Sequence, residues 1–458
     1  MHGCLRAMTT LGRRRRGLAA RLPCVVFTWL ACHAAHVLAE EKQPHLLLEP
    51  IDYTDVIDAF DQDDPADVNV TLTFMRTRHV GTLAREHSEP GDKAMGRFLP
   101  IADSEQVTNA LALEVDLGLY KDLMAYARLP LVLSDTRQLR LPAEARCASA
   151  NCSERAATIA NALAAPTAGQ AGSALFDLAS GYQSATRSGI GAFDVGVAWG
   201  VVNQYRTPYL PTWVLALEAR IGVGKLMKPC TDGAVCDTGI NRGTARLELS
   251  SRWSRRWRFF EPYLGLRYAL EWATGASERF TPQGDQPGYV DTTPPSTAET
   301  TLGSAFIAWE DRGRFQRFAI DVRGRAAYIS AGRDYTPLFD ALGSSMNEYL
   351  ATPSLTPSGA QVPFRGLTNV DGHARLGLEV AAAIQAARYV RFRLGVSLWH
   401  LTSHLLTAAM PCAAVASESC PATELNALYR PIIDLPGQRF RLSADLAFDL
   451  FATATGQF

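Results

Sequence analysis

The stretch FRLSADLAFDLFATATGQF, residues 440–458, repeats with a period of two. Phe440, Leu442, Ala444, Leu446, Phe448, Leu450, Ala452, Ala454, Gly456 and Phe458 are apolar or small, while Arg441, Asp445 and Asp449 fall in the alternate set. Successive side chains of a strand point to opposite faces, so this stretch predicts a strand with one greasy face and one charged face. A soluble sheet can use such a strand only by burying the greasy face. A membrane strand uses it by turning that face to lipid.

The pattern recurs about twelve times. Val68, Val70, Leu72 and Phe74 open the series, and Leu111–Leu119 is followed, after a tight Lys121-Asp122 turn, by Leu123–Leu133. Phe193–Val201, Trp213–Val223, Ala245–Trp253, Leu264–Trp272, Leu302–Ala308, Phe318–Val322, Leu376–Ile384 and Val390–Leu398 complete it before the last strand. Short links, such as 121–122, Asp311–Arg314 and Ala386–Arg388, alternate with long polar stretches near 79–107, 134–190, 225–241, 273–299, 334–372 and 403–438. Turns of mixed length would suit a soluble sandwich. An even number of strands with short turns on one side and long loops on the other predicts an all-β, up-and-down antiparallel transmembrane barrel of about twelve strands. A closed barrel pairs every backbone group within hydrocarbon, which explains how charge and grease can share each strand.

The front of the chain reads as an export signal. Arg13–Arg16 precede an apolar region around Leu22–Ala31, and Val37–Ala39 stand before Glu40, so cleavage is expected near Ala39. Trp29–Cys32 is an imperfect lipoprotein box, with Trp29 where Leu is expected. After residue 39 no run of about 20 apolar residues exists to make a spanning helix. Three of the nine cysteines (Cys4, Cys24, Cys32) lie in the signal. The others form near neighbours, Cys147/Cys152, Cys230/Cys236 and Cys412/Cys420, all within the long links. In an exported chain these predict three local disulfides, and the absence of His partners argues against zinc. A net charge of −1 argues against nucleic acid as a partner.

The export signal, the alternating strands and the terminal FATATGQF make the chain similar to the outer-membrane β-barrel proteins of Gram-negative bacteria, across nearly all of residues 67–458. GIGAFDVGVAWGVV, Gly189–Val202, resembles the Gly-x-Gly-Asp strand opening of barrels related to the phenol-degradation meta-pathway transporters, although Ala192 stands at the acidic position and Asp194 follows two residues later. The general resemblance implies an outer-membrane location and assembly by periplasmic chaperones and the barrel-assembly machinery. The subgroup implies uptake of small, often hydrophobic molecules.

The face opposite the lipid set predicts the lumen. It carries Glu114, Asp116, Arg128, Glu218, Arg220, Arg246, Glu248, Arg252, Arg267, Glu271, Asp321, Arg323, Arg325, Arg375, Glu379, Arg391, Arg393, Arg441, Asp445 and Asp449. Arginine is nearly its only cation, and a guanidinium can bridge carboxylates two at a time. Such residues brace a narrow lumen, or line a wet path that favours anions. His400 and Ser403, in WHLTSHLL, are a candidate base and nucleophile for an outer-membrane lipid hydrolase, with no third member assignable. The acidic stretch Asp52–Asn69 lacks the Gly and oxygen spacing of a calcium loop. Its Val56, Ile57 and Phe60 suggest a short helix resting on the periplasmic mouth, or a solvated linker. Ser153–Ala165 opens with a Ser cap and a Glu and suggests a short helix in the longest loop.

The organisation expected is therefore a signal over 1–39, an acidic periplasmic segment over 40–66 and a barrel over 67–458. The function expected is passive passage of small solutes through a charged lumen without metal or cofactor. A lipid hydrolase and a non-conducting barrel that displays its loops are the alternatives.

Overall fold

The computed structural model describes residues 53–57, 67–87, 97–142, 182–230, 237–274, 293–345, 364–412 and 428–458, with a few isolated positions between them. The wall consists of β1 (Val68–His87), β2 (Arg97–Tyr120), β3 (Leu123–Arg140), β4 (Ala192–Val202), β5 (Thr212–Gly222) and β6 (Thr244–Ser254). It continues through β7 (Phe260–Ala273), β8 (Thr297–Asp311), β9 (Gln316–Ile329), β10 (His373–Ala387), β11 (Val390–Leu401) and β12 (Phe440–Gln457). Each strand pairs antiparallel with its neighbours in sequence order, and β1 pairs with β12 from Asn69↔Gln457 to Arg85↔Phe440. That last pairing closes the sheet into a twelve-stranded barrel, which leaves the wall no free edge.

The period of two turns large apolar side chains outward. Leu72, Leu113, Leu249, Leu302, Leu378, Leu394 and Phe448 are each at least 40% exposed. A water-facing protein does not leave such a continuous apolar surface uncovered, and a bilayer covers it. Tyr120, Trp199, Tyr209, Trp257, Phe259, Trp309, Tyr389 and Phe458 are also exposed, and all sit at the end of the barrel that carries the short links and the last residue. Trp213 and Trp253 join this ring as a stacked pair with centroids 6.5 Å apart. An aromatic ring at a strand end suits a headgroup region, where a flat side chain meets both acyl chains and water.

Two expectations about the wall change. Residues 79–107 were expected to be a long loop, but β1 and β2 continue through most of them, to His87 and from Arg97. A barrel strand needs roughly 9–11 residues to cross a membrane, so β1, β2 and β3 project well beyond it at the loop end. Charged residues in their upper halves hide the alternation that marks their lower halves. In β12 the alternation is broken by a bulge: Ala444 has φ +50° and the register shifts opposite Val80 and Thr82. One extra residue exchanges the faces of everything before it. Phe440 and Leu442 therefore turn inward, where they are buried, and Arg441 does not line the lumen. Its guanidinium lies over the Phe98 ring, 4.1 Å from the centroid.

The inward turn of Phe440 and Leu442 builds a cap. They pack with Leu83, Ile101 and Leu139 of the wall against Leu338 and Leu342 beside and within α1 (Phe339–Gly343) and Ile432 and Ile433 of α2 (Pro431–Asp434). The Arg85 guanidinium, buried among them, donates to the Ile432 carbonyl at 2.7 Å and to Gln438 Oε1 at 2.7 Å. Arg187 and Asp340 form a buried ion pair, with Arg187 Nη1 at 3.2 Å from Asp340 Oδ2, tying the short strand Arg187–Ile190 to α1. Cys230 and Cys412 are buried in the same loop region. Cys147, Cys152, Cys236, Cys420 and the helix expected over 153–165 lie outside the described residues.

Candidate functional site: the charged lumen and the segment inside it

The inner face is organised by arginine. Arg128 Nε donates to Asp194 at 3.1 Å and Nη2 to Glu218 at 3.0 Å, with Glu114 at 3.6 Å. Arg220 bonds the other oxygen of Asp194 at 2.6 Å. Arg246 links Glu218 at 3.0 Å to Glu248 at 3.3 Å, and Arg267 links Glu248 at 3.5 Å to Glu299 at 2.8 Å. These pairs make one chain of alternating charge across the wall from β2 to β8. A second group holds β9, β10 and β11 together. Arg393 reaches Asp321 at 2.6 Å and Glu379 at 2.9 Å, while Arg325 meets Glu379 at 3.3 Å. Arg323 pairs with Asp321 and lies 3.4 Å from Glu379. Each guanidinium spans two strands or more, which single carboxylate–ammonium pairs could not do.

Other expected residues have separate places. Asp449 accepts from Thr77 and Ser397 at 2.7 Å and from Trp399 Nε1 at 3.0 Å. Arg375 stacks on the Trp399 ring at 3.7 Å. Glu271 accepts from Thr244 at 2.6 Å, near the cap. The carboxylate of Asp445 is buried against His79. Asp194 and Glu299, both central to the network, were not counted with the rest; Asp194 lies in an alternating stretch, whereas Glu299 was expected in the long link 273–299, which β8 enters from Thr297. His400 and Ser403 are not brought together: His400 is exposed on the outward face of β11, and Ser403 donates to the Leu442 carbonyl at 3.1 Å. The strand period carries one out to the lipid side, while the other, beyond the strand end, turns toward β12. Among the described residues no cluster of His, Cys, Asp and Glu is suited to a metal ion.

The N-terminal segment supplies the part that sequence reasoning missed. Residues 53–57 were expected outside the barrel, as a helix at its mouth or a linker; they lie within it. Arg252 Nη1 donates to the Tyr53 carbonyl at 2.9 Å, the Thr54 and Ser254 hydroxyls share a hydrogen bond of 2.7 Å, and Arg391 Nη1 stands 3.3 Å from Asp55 Oδ2. The Tyr53 ring lies 4.5 Å from that of Tyr263 and 5.4 Å from the Arg323 guanidinium. Val56, like Met124 and Tyr126, packs against the buried cluster of Ala198, Val214 and Ala216. Beside the segment is a cavity of about 430 Å³, lined by Asn69, Thr71, Thr73, Glu114, Asp116, Arg128, Arg391, Thr453 and Thr455 among others. It lies toward the end with the short links.

The wall is cut to receive that ring. On the inner face Gly196 stands opposite Tyr126, Gly303 opposite Tyr263, Gly377 opposite Trp399 and Gly395 opposite Phe451. In each pair the aromatic ring occupies the space a β-carbon would need. Glycine in a strand permits such close approach, and a cross-strand ring covers it. Gly265 has Arg252 and Thr301 opposite it instead. Its open space is filled by the Tyr53 hydroxyl, brought from almost the other end of the chain.

Fold and inner face define the class: a closed outer-membrane type β-barrel with a charged lumen. Neither protein-family models nor curated proteins match the sequence. Among solved structures the chain is similar to an outer-membrane channel from Pseudomonas putida F1, with 8% identity over 90% of this chain and 99% of that one and a TM-score of 0.37. It is also similar to a Pseudomonas aeruginosa FadL homologue (9% identity, 85% and 90% covered, TM-score 0.31). The outer membrane protease OmpT of Escherichia coli gives 8% identity, with 86% and 96% covered and a TM-score of 0.27. These are barrels of unlike activity, and at such scores the likeness selects none of them.

Proposed function

We propose that the protein is a gated channel of the outer membrane, exported with loss of residues 1–39, through which small polar or anionic solutes pass. The observation that carries this reading is the charged, partly empty lumen inside a lipid-facing wall. A barrel that served only to display loops has no need of a polar-lined cavity of about 430 Å³. The cap at the loop end and residues 53–57 nearer the other end act as two gates in series. Opening therefore requires both to move, and the open probability is the product of the two.

The test is single-channel recording of the purified full-length protein in a planar bilayer. The wild type is expected to stay closed for most of the record with brief openings. The Tyr53→Ala/Asp55→Ala variant is expected to open more often at unchanged unit conductance. Silence of both proteins across voltage and pH would overturn the channel reading and leave a sealed barrel whose loops do the work.

A further inference from the structure

The contacts made by Tyr53, Thr54 and Asp55 describe a ligand. Three features of the wall meet there. The first is an aromatic contact, the Tyr263 ring at 4.5 Å and tilted by 31°, with the Arg323 guanidinium beside both rings at 5.4 and 5.7 Å and a hole over Gly265 that accepts a phenolic hydroxyl. The second is the Arg252 guanidinium, which already donates to a carbonyl at 2.9 Å. The third is Arg391, which holds a carboxylate oxygen at 3.3 Å and borders the open cavity. A covalent chain joins the ring to the carboxylate in the segment, and between these two ends the wall touches one carbonyl and the Thr54 hydroxyl.

The geometry points to a luminal binding site for small phenolic carboxylates, with the segment as a built-in competitor for it. The ring of such a solute takes the place of the Tyr53 ring, its hydroxyl fills the space left by the absent β-carbon of Gly265, and its carboxylate pairs with Arg391. A planar ring against the Tyr263 ring, with the Arg323 guanidinium beside the pair, gains aromatic contact and cation–π attraction. A carboxylate on arginine gains a charge-assisted hydrogen bond. An aliphatic acid lacks the first contribution and a neutral phenol the second. Entry of the solute releases the segment, so the molecule to be passed also weakens one of the gates. This inference rests on the channel reading for its consequence, though not for the binding itself.

The test uses the full-length protein in detergent, with p-coumarate as the probe, and calorimetry for affinity. If the segment fills the site about nine-tenths of the time, Tyr53→Ala/Asp55→Ala binds p-coumarate about tenfold more tightly than the wild type. Adding Arg391→Ala, or Gly265→Ala, to that variant removes the gain, while p-cresol and acetate bind weakly to all. Equal affinity for wild type and double variant, or a gain that survives Gly265→Ala and Arg391→Ala, overturns the proposal. The double substitution leaves the wall residues unchanged, and barrel integrity is checked by the shift in gel mobility on boiling. Binding as expected in a barrel that never conducts would remove the channel reading and keep the site. Frequent openings in the double variant with no p-coumarate binding would do the reverse.

Discussion

At the loop end the lumen is filled by Leu83, Leu139, Leu342 and Ile433, each almost fully buried, whereas nearer the short links it holds residues 53–57. There Val56 and the Tyr53 ring make apolar contacts, and the Tyr53 carbonyl, Thr54 and Asp55 are held by hydrogen bonds and an ion pair. The energies differ accordingly. Each buried aliphatic side chain contributes roughly 1.5–3 kcal/mol, but a hydrogen bond between chain segments contributes a net of only about 0.5–1.5 kcal/mol because water offers the same bond. The cap is a small hydrophobic core built on strands that overshoot the membrane, and the segment is a tethered ligand. On the proposed channel reading, the cap would be the slow gate, setting whether the loop end is open, and the segment the fast one, setting how readily the lumen is entered from the other side.

The strongest attack on this contrast is Asp340→Ala. It leaves the Arg187 guanidinium, fully buried beside Lys228 and Thr238, without its carboxylate. Breaking one side of a buried ion pair typically costs about 3–5 kcal/mol. Loop-end amides are expected to exchange hydrogen orders of magnitude faster, while β5–β8 keep their protection. Global unfolding in place of local loosening would show that cap and wall form one cooperative unit and would dissolve the distinction.

The cap should also respond to pH in a way the segment does not dictate. Burial pushes the Asp434 carboxyl up, to about 7, with amides of Arg430 and Ala409 pulling the other way. Burial, and then the His373 ring stacked at 3.8 Å, push the His404 imidazole down, to about 4. The raised acid contributes stability that is full below its unfolded pKa, near 4, and is lost as pH rises through 7. The lowered histidine contributes stability that is full above its unfolded pKa, near 6.5, and is lost as pH falls toward 4. The two oppose each other across the same range, so the wild-type cap should change little between pH 4 and 7. Asp434→Asn should leave a cap that loosens on acidification, and His404→Gln one that loosens on alkalinisation, both read by proteolysis of the loops. Parallel pH profiles for the two variants would exclude these groups as the cause.

The alternation of apolar residues was enough to place most of the wall, because a strand period is local and lipid makes it strict. It failed where a local rule meets a distant one. Nothing near Ala444 announces a bulge, so Arg441 was assigned to the lumen and Phe440 to lipid, and each face the opposite way. The overshooting halves of β1 and β2 bury successive residues such as Leu83 to Glu86 and Ile101 and Ala102, so no face stays apolar along its length, and their charges look like a loop. For the charges, a strand period offers only a choice of two faces and gives no partner across the register. The place of residues 53–57 was not readable, because Tyr53 and Gly265 meet only after the sheet has closed. A trace of it did exist: inward glycines at 196, 303, 377 and 395 each have an aromatic directly across the register, and Gly265 has none.

The smallest expected effect probes the weaker closure alone. The Thr54 hydroxyl is buried and bonded to Ser254 at 2.7 Å, and no charge takes part in that contact. Thr54→Ala leaves the Ser254 hydroxyl without this partner and should weaken the segment's hold by about 1 kcal/mol, which corresponds to roughly a fivefold rise in opening frequency. Ser254→Ala should do the same from the other side. Combining Ser254→Ala with Thr54→Val, which removes both polar groups and keeps the volume at residue 54, should bring the frequency back toward that of the wild type. That non-additive return is what separates a tethered segment on hydrogen bonds from a hydrophobic closure, in which each truncation would add to the last. Additive losses would place the segment in the same class as the cap.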